Sequence, residues 1–320
     1  MTSRVLSQGM GTGTVRTVLG DLAPERLGVC DSHDHLFFGS PLLPGQELDD
    51  PDAATAELAA FGALGGRAVV QWTPYGMGRR IGALRSAARA SGVAVVAATG
   101  LHQAAHYHPT LVDKVRDGLA ALFVEELTVG IRERPDSEPG ESRAGLVKVA
   151  GEFHALPEHA RRVMTAAAEA HHATGAPIGV HLEHGTAGLD VVELLCGELA
   201  VPPARVILGH LNREPDSAMH RAAADAGVYL AFDGPSRANH ATDWRLFESL
   251  AALVAAGHTD QLLIGGDTTT ASARAATGGG PGIPALLRRL RPRLEQELGT
   301  AATERMFVAN PARAFAVDWR

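Results

Sequence analysis

The stretch LVKVAGEFHALPEHARRVMTAAAEAHHATGAPIGVHL, residues 146–182, decides the fold. It opens on a short apolar run that carries one lysine, Lys148, crosses a polar loop, and at Pro157 enters an alanine-rich segment with apolar residues at helical spacing. Gly175 closes that segment and a second apolar run, Ile178–Leu182, follows. Proline suits the first turn of a helix and glycine its exit. A strand, a helix and a strand joined so tightly form a βαβ unit, in which the two strands run parallel.

The same alternation extends in both directions. The predicted strands are Leu27–Asp31, Ala68–Thr73, Val93–Thr99, Leu146–Ala150, Ile178–Leu182, Val206–Gly209, Val228–Phe232 and Leu262–Gly265. The predicted helices are Asp52–Leu64, Ile81–Ala90, Val112–Thr128, Pro157–Thr174, Leu189–Leu199, Ala218–Ala226, Trp244–Ala256 and Pro284–Leu298. Eight such pairs match the arithmetic of a (β/α)8 TIM barrel, whereas a doubly wound sheet usually stops earlier. A short N-terminal β-hairpin, Val15–Leu22, precedes the barrel, and residues 1–14 read as a flexible N-terminus of a single 1–320 domain.

Composition narrows the function. The chain has 320 residues, with Lys+Arg 29 against Asp+Glu 36 and a formal net charge of −7. No basic stripe offers a footprint for a phosphate backbone, so nucleic acid is not an expected partner. No apolar run is long enough to span a bilayer and the N-terminus lacks a signal-peptide core, which predicts a cytoplasmic protein without a membrane partner. The two cysteines, Cys30 and Cys196, form no CxxC pair, so any metal would rest on nitrogen and oxygen ligands.

Ionisable residues gather at the C-terminal ends of the predicted strands, the rim at which barrel enzymes place their sites. His33 and His35 follow the first, Lys148 lies in the fourth, His181 in the fifth, His210 ends the sixth and Asp267 follows the eighth. Residues two apart in extended chain share a face, so His33 and His35 can grip one cation. Four histidines and an aspartate exceed the needs of one tetrahedral ion and suit two divalent metals with a hydroxide between them. A lysine aimed at two dications must lose its proton or its cationic nature, and carbamylation by CO2 would make Lys148 a bridging carboxylate.

The motifs GVCDSHDHL (28–36), RAGLVKVA (143–150), VHL (180–182), ILGH (207–210) and LIGGD (263–267) resemble, in order and over nearly the whole chain, the ligand motifs of the phosphotriesterase family of the amidohydrolase superfamily. The resemblance implies His33, His35 and Asp267 on a more buried metal and His181 and His210 on a more exposed one, with carbamylated Lys148 bridging. It implies a metal-bridging hydroxide as nucleophile, Asp267 as proton acceptor, and Asp267, Lys148 and His210 as the catalytic residues. Zinc leads, with Mn, Co or Fe compatible with the same ligands, and a homodimer is the implied assembly. Asp34 and Cys30 depart from the family's usual Glu and Thr without touching a ligand position. GHLNREPD (209–216), FDGPSR (232–237) and GGGPG (278–282) resemble the lactonase-like branch.

The expected activity is therefore opening of a lactone or cleavage of a related carboxylic ester, a small-molecule substrate. An organophosphate triester or phosphodiester hydrolase is the alternative, and a non-catalytic binding barrel a third reading. His102 and Tyr107 after the third strand, Asp233 ending the seventh, Arg237 and Arg274 are the expected substrate contacts. Leu42, Leu43 and Pro44, with Tyr107, Trp72 and Trp244, suggest an apolar substrate wall, and the glycines at 278–282 suggest a mobile covering loop. Most other histidines, among them His171 and His220, are expected in solvent, and Glu125 and Glu126 on a helix surface, although the resemblance implies that Glu126 supports the rim near Lys148.

Overall fold

A computed structural model describes residues 13–134, 136–234, 241–276 and 279–320. Arg237 and Gly278 lie outside the described residues, as do residues 1–12 of the expected flexible terminus. Thr14 does not belong to that terminus, because it pairs with Val317 in a strand.

The chain begins with the expected hairpin, β1 (Thr14–Thr17) and β2 (Gly20–Leu22). The barrel strands follow as β3 (Cys30–Asp34), β4 (Ala68–Gln71), β5 (Ala94–Gly100), β6 (Leu146–Ala150), β7 (Ile178–His181), β8 (Val206–Gly209), β9 (Tyr229–Asp233) and β10 (Leu262–Gly265). They form one eight-stranded sheet in chain order, with parallel neighbours. The main-chain N–H groups of Gly266 and Asp267 donate to the His33 carbonyl at 2.9 and 3.0 Å, joining the end of β10 to β3 and closing the barrel. A last strand, β11 (Ala316–Val317), adds to β1 and turns the hairpin into a three-stranded antiparallel sheet, an element absent from the sequence reading.

The helices lie outside the sheet, and most of the buried apolar side chains pack between the two layers. A second cluster fills the barrel interior, with Leu27, Val70, Val96, Ile207, Leu263 and Phe315 around Trp72. Three expected helices differ in detail, one of them Leu189–Leu199, which widens over Glu193–Glu198 with no proline in that segment. The segment predicted as Val112–Thr128 is two helices, Pro109–Val115 and Leu119–Thr128, separated at Gly118, which weakens helix continuity. The helix ending at Leu298 widens over Leu286–Leu290. Pro292 explains this, because its missing N–H and bulky ring disrupt the turn before it. The same pairing recurs at Arg305–Ala309 ahead of Pro311, in a C-terminal helical run that the sequence reading did not anticipate.

Candidate active site

Trp72 forms the floor. It is fully buried on the barrel axis, its indole N–H donates to the Ser32 carbonyl at 2.8 Å, and its ring lies 4.1 Å from that of His33. A Cβ on Gly179 or Gly209 would come within 3.0 or 3.1 Å of that ring, so glycine at these positions lets the two strands pack close around it. Trp72 is thus a plug beneath the site and not part of a substrate wall. Trp244 (74% exposed) and Leu42 stand in solvent, so the expected apolar wall is not assembled from these residues.

Above the floor the four histidines, Lys148 and Asp267 converge, and only His181 among them is more than slightly exposed. Asp267 Oδ1 stands 3.6 Å from His33 Nε2 and 3.4 Å from His35 Nε2. His210 Nε2 faces His181 Nδ1 at 2.7 Å. Lys148 reaches the rim between Gly100 and Gly179 of its neighbouring strands. The register needs Gly100, at φ +105°, since a Cβ there would meet the Lys148 carbonyl at 2.0 Å.

Each imidazole is held in one tautomer by its second nitrogen. Asp233 accepts from His33 Nδ1 at 2.8 Å and from His210 Nδ1 at 2.6 Å. His35 Nδ1 donates to Thr73 Oγ1 at 2.7 Å, and that hydroxyl must accept because its own hydrogen goes to the Phe37 carbonyl at 2.6 Å. His181 Nε2 donates to Glu183 Oε2 at 3.1 Å, and Gln103 steadies the same oxygen. All four rings therefore turn a lone pair toward a common centre, the arrangement that metal-ligating histidines require. Two facing lone pairs at 2.7 Å, as between His181 and His210, repel unless a proton or a cation sits between them.

The electrostatics agree. Burial, reinforced by neighbouring cations, holds His35, His181 and His210 below the ordinary imidazole range, His210 at about 4, so they are neutral donors near pH 7. Burial raises the proton affinity of Asp233 and Asp267, but the surrounding histidines, and Arg213 at Asp267, outweigh it and keep both ionised. Lys148, 3% exposed, is pushed by burial down to about 7, against the pull of Asp267 and Glu183. Donor atoms of His33, His35 and Asp267 lie within 4.8 Å of one another, as do those of His33, His210 and Asp233. Neutral imidazoles and ionised carboxylates fit a divalent transition metal.

The other expected contacts divide. His102 is buried beside His181, ring centroids 4.6 Å apart, with its main-chain N–H donated to the Tyr107 hydroxyl at 2.7 Å. Tyr107 is buried and braces this loop. Asp233 orients two histidines. Arg274 is buried, with its guanidinium on the main-chain carbonyls of Leu36 and Asp50. The loop that follows is pinned where described: Glu57 accepts from the N–H groups of Ala275, Ala276 and Ile283 at 3.2, 2.8 and 2.9 Å, so this part does not behave as a free cover. His171 and His220 are buried, each bonded to a main-chain carbonyl, because the helix faces carrying them pack inward. Glu126 is fully buried in a bidentate pair with Arg79, both contacts 2.6 Å, and accepts from Thr99 at 2.7 Å.

Sequence reasoning missed Glu183, Thr73 and Arg213. Glu183 lies two residues after His181, a same-face spacing that could have signalled it. Arg213, three residues after His210, binds Asp267 Oδ2. Thr73 at the end of the second predicted strand carried no signal beyond its place.

A parallel barrel with histidines and carboxylates held in ligand-ready form at its C-terminal rim defines a barrel hydrolase. The phosphotriesterase family model matches residues 13–315, and the chain belongs to that family. It is 30% identical to the phospho-furanose lactonase of Mycoplasmopsis synoviae over 329 residues, 95% of this chain and 92% of that protein. With the phospho-furanose lactonase of Mycoplasmopsis agalactiae it shares 32% over 243 residues, 72% of this chain and 69% of that one. The crystal structure of a lactonase from Listeria monocytogenes superposes with a TM-score of 0.86 at 27% identity, covering 95% of this chain and 99% of that chain. The chain is an ester-hydrolysing enzyme of the lactonase-like branch. Among the described residues no helix is long and apolar enough to cross a membrane.

Proposed function

We propose that the chain is a binuclear metal hydrolase that opens a lactone or cleaves a related carboxylic ester. The observation that carries this reading is the set of four histidines, each tied at one nitrogen and presenting the other inward. His33, His35 and Asp267 would hold one divalent ion, His181 and His210 a second, and Lys148, carbamylated, would span both. Such ions, zinc foremost, supply Lewis acidity that activates water and polarises a carbonyl. Carbamylation needs a neutral amine, and the Lys148 nitrogen, at about 7, is largely neutral in mildly alkaline solution.

Asp267 would take and return the proton. Oδ1 faces His33 and His35 while Arg213 holds Oδ2, so the carboxylate has one orientation. His102 walls the same space, and its Nδ1 accepts the Gln103 N–H at 2.8 Å, leaving Nε2–H as the group it can offer a substrate. The relatives named as phospho-furanose lactonases support a lactone as the electrophile. Purified protein supplied with Zn or Mn is expected to hydrolyse γ- and δ-lactones faster than paraoxon-like triesters. Equal rates or the reverse preference overturn the ranking.

A further inference from the structure

The barrel has a second mouth. The metal-ligating side chains gather at the C-terminal ends of the strands, whereas Arg26, Arg67 and the segment 92–94 come shortly before β3, β4 and β5, at their N-terminal ends. A cleft of about 620 Å3 opens there, between the hairpin of β1 and β2, these strand starts and the end of the helix Ile81–Ser91. Main-chain bonds fix its frame. The Arg67 N–H donates to the Val29 carbonyl and the Ala94 N–H to the Arg67 carbonyl, both at 2.8 Å, and the Val18 N–H ties the hairpin to the Val95 carbonyl at 2.8 Å. Thr17 closes the hairpin turn, its hydroxyl donating to the Gly20 carbonyl at 2.7 Å. The size is one that small-molecule sites commonly have.

Among the described residues, three arginines and no aspartate or glutamate line this cleft: Arg26, Arg67 and Arg89, all exposed. None of the three has an ion pair among the described residues. Asp21, the acid of the hairpin, is taken by Arg16 and Arg143 at 3.1 and 3.5 Å, and Glu25, beside Arg26 in sequence, pairs with none of them. The residues outside the described ones contain no aspartate or glutamate. In a chain with Asp+Glu 36 against Lys+Arg 29, three guanidiniums grouped without a carboxylate are not a consequence of composition. They concentrate positive charge in a form that phosphate oxygens can engage in pairs. Arg67 is also held in place, since a Cβ on Gly28 would meet its Cβ and Cγ at 2.9 and 2.8 Å, so its stem packs on the backbone ahead of β3. Leu19, 45% exposed, gives the cleft an apolar flank together with Leu22 and Val93.

We infer that this cleft is a binding site for an organic diphosphate, its charged end held by Arg26, Arg67 and Arg89 and its apolar body laid against Leu19 and Leu22. A diphosphate has the charge and the acceptor oxygens to meet all three guanidiniums, which a single carboxylate does not. The packed barrel interior around Trp72 separates this mouth from the histidines, so the ligand is not the substrate and the inference is independent of the reaction proposed above. Calorimetry on the metal-loaded protein would compare ADP, pyrophosphate and adenosine as probes. ADP is expected to bind most tightly, pyrophosphate less so, and adenosine without saturation. Arg67→Gln should weaken ADP about tenfold, and Arg26→Gln/Arg67→Gln/Arg89→Gln should abolish its binding. Leu19→Glu, which sets a carboxylate on the flank, should weaken both anions. Circular dichroism and lactone turnover should be unchanged in every variant, because the substituted side chains are exposed and remote from the catalytic mouth. ADP affinity that survives the triple substitution, as binding at the metals would, overturns the inference. So does the absence of saturable ADP binding, or pyrophosphate binding as tightly as ADP.

Discussion

Asp233→Asn replaces a single carboxylate oxygen by an amide nitrogen and tests the tautomer argument directly. In the native protein both oxygens accept, from His33 at 2.8 Å and from His210 at 2.6 Å. Asparagine offers one acceptor and one donor. One histidine keeps its partner, and the other meets an N–H and is driven to the opposite tautomer, with its hydrogen on the inward nitrogen. A hydrogen bond to a charged group contributes about 1.5–3 kcal/mol, which corresponds to a loss of metal affinity of roughly 10- to 100-fold, in the range known for partners that orient metal-ligating histidines. Competition with a chromogenic chelator for zinc at pH 7.5 measures this, with circular dichroism to establish that the variant is folded. A folded Asp233→Asn protein that binds two zinc ions as tightly as the native chain refutes the reasoning and leaves Asp233 as a substrate contact. In that event KM alone should rise.

Three further outcomes follow from the same structure. Arg79→Met leaves Glu126 charged and buried without its partner, a loss of about 3–5 kcal/mol; urea denaturation should show much of it recovered in Arg79→Met/Glu126→Gln, and equal stability of single and double variants contradicts the pair's role. In metal-free protein, burial holds the Lys148 amine at about 7 against an ordinary 10.5. Below pH 7 folded and unfolded chains both carry the proton and the buried charge is destabilising, whereas between 7 and 10.5 only the unfolded chain binds it and the penalty fades. Lys148→Met should therefore raise the urea midpoint strongly at pH 6 and little at pH 10, and a gain independent of pH contradicts the burial argument. Gly179→Ala pushes a methyl to 3.0 Å from the Trp72 ring, which should cost about 1–3 kcal/mol and be relieved by Trp72→Phe; no change in thermal midpoint would show that the floor is not tightly packed.

The barrel was legible because its signal is repeated. Three of the predicted strands, Leu146–Ala150, Val206–Gly209 and Leu262–Gly265, are observed with the same limits, and the others end within one to three residues. Ionisable residues in otherwise apolar strands marked the rim. What escaped was created by tertiary contact. Glu126 reads as a surface charge until Arg79, far away in sequence, is folded against it. Trp72 reads as part of a substrate wall until Gly179 and Gly209 make room for it on the axis. The β11 strand is only two residues long and exists because β1 offers it an edge.

The inward aim of the site residues has two different origins. In β6 and β7 simple alternation suffices: Leu146 faces the barrel interior and so does Lys148, while Ile178 and Val180 face the helices and leave His181 inside. In β8 alternation fails, because Ile207 is interior and Leu208 faces the helices, which would send residue 210 outward. His210 returns to the axis because its backbone is left-handed, φ 65°, and Asp233 then captures its ring. In β3 Cys30 is interior, so an unbroken strand would turn His33 away, but the register shifts between Asp31 and Asp34 and resets the face. Asp267, also left-handed at φ 51°, is tied by its N–H to the His33 carbonyl that closes the barrel. Backbone irregularity is costly for residues other than glycine and persists where the surroundings over-determine it. At the β3 bulge, His210 and Asp267 it falls at residues whose side chains meet each other, so the bulge, these two left-handed turns and the tautomer network form one structural unit. Loosening any of them should disturb metal affinity before it disturbs the barrel.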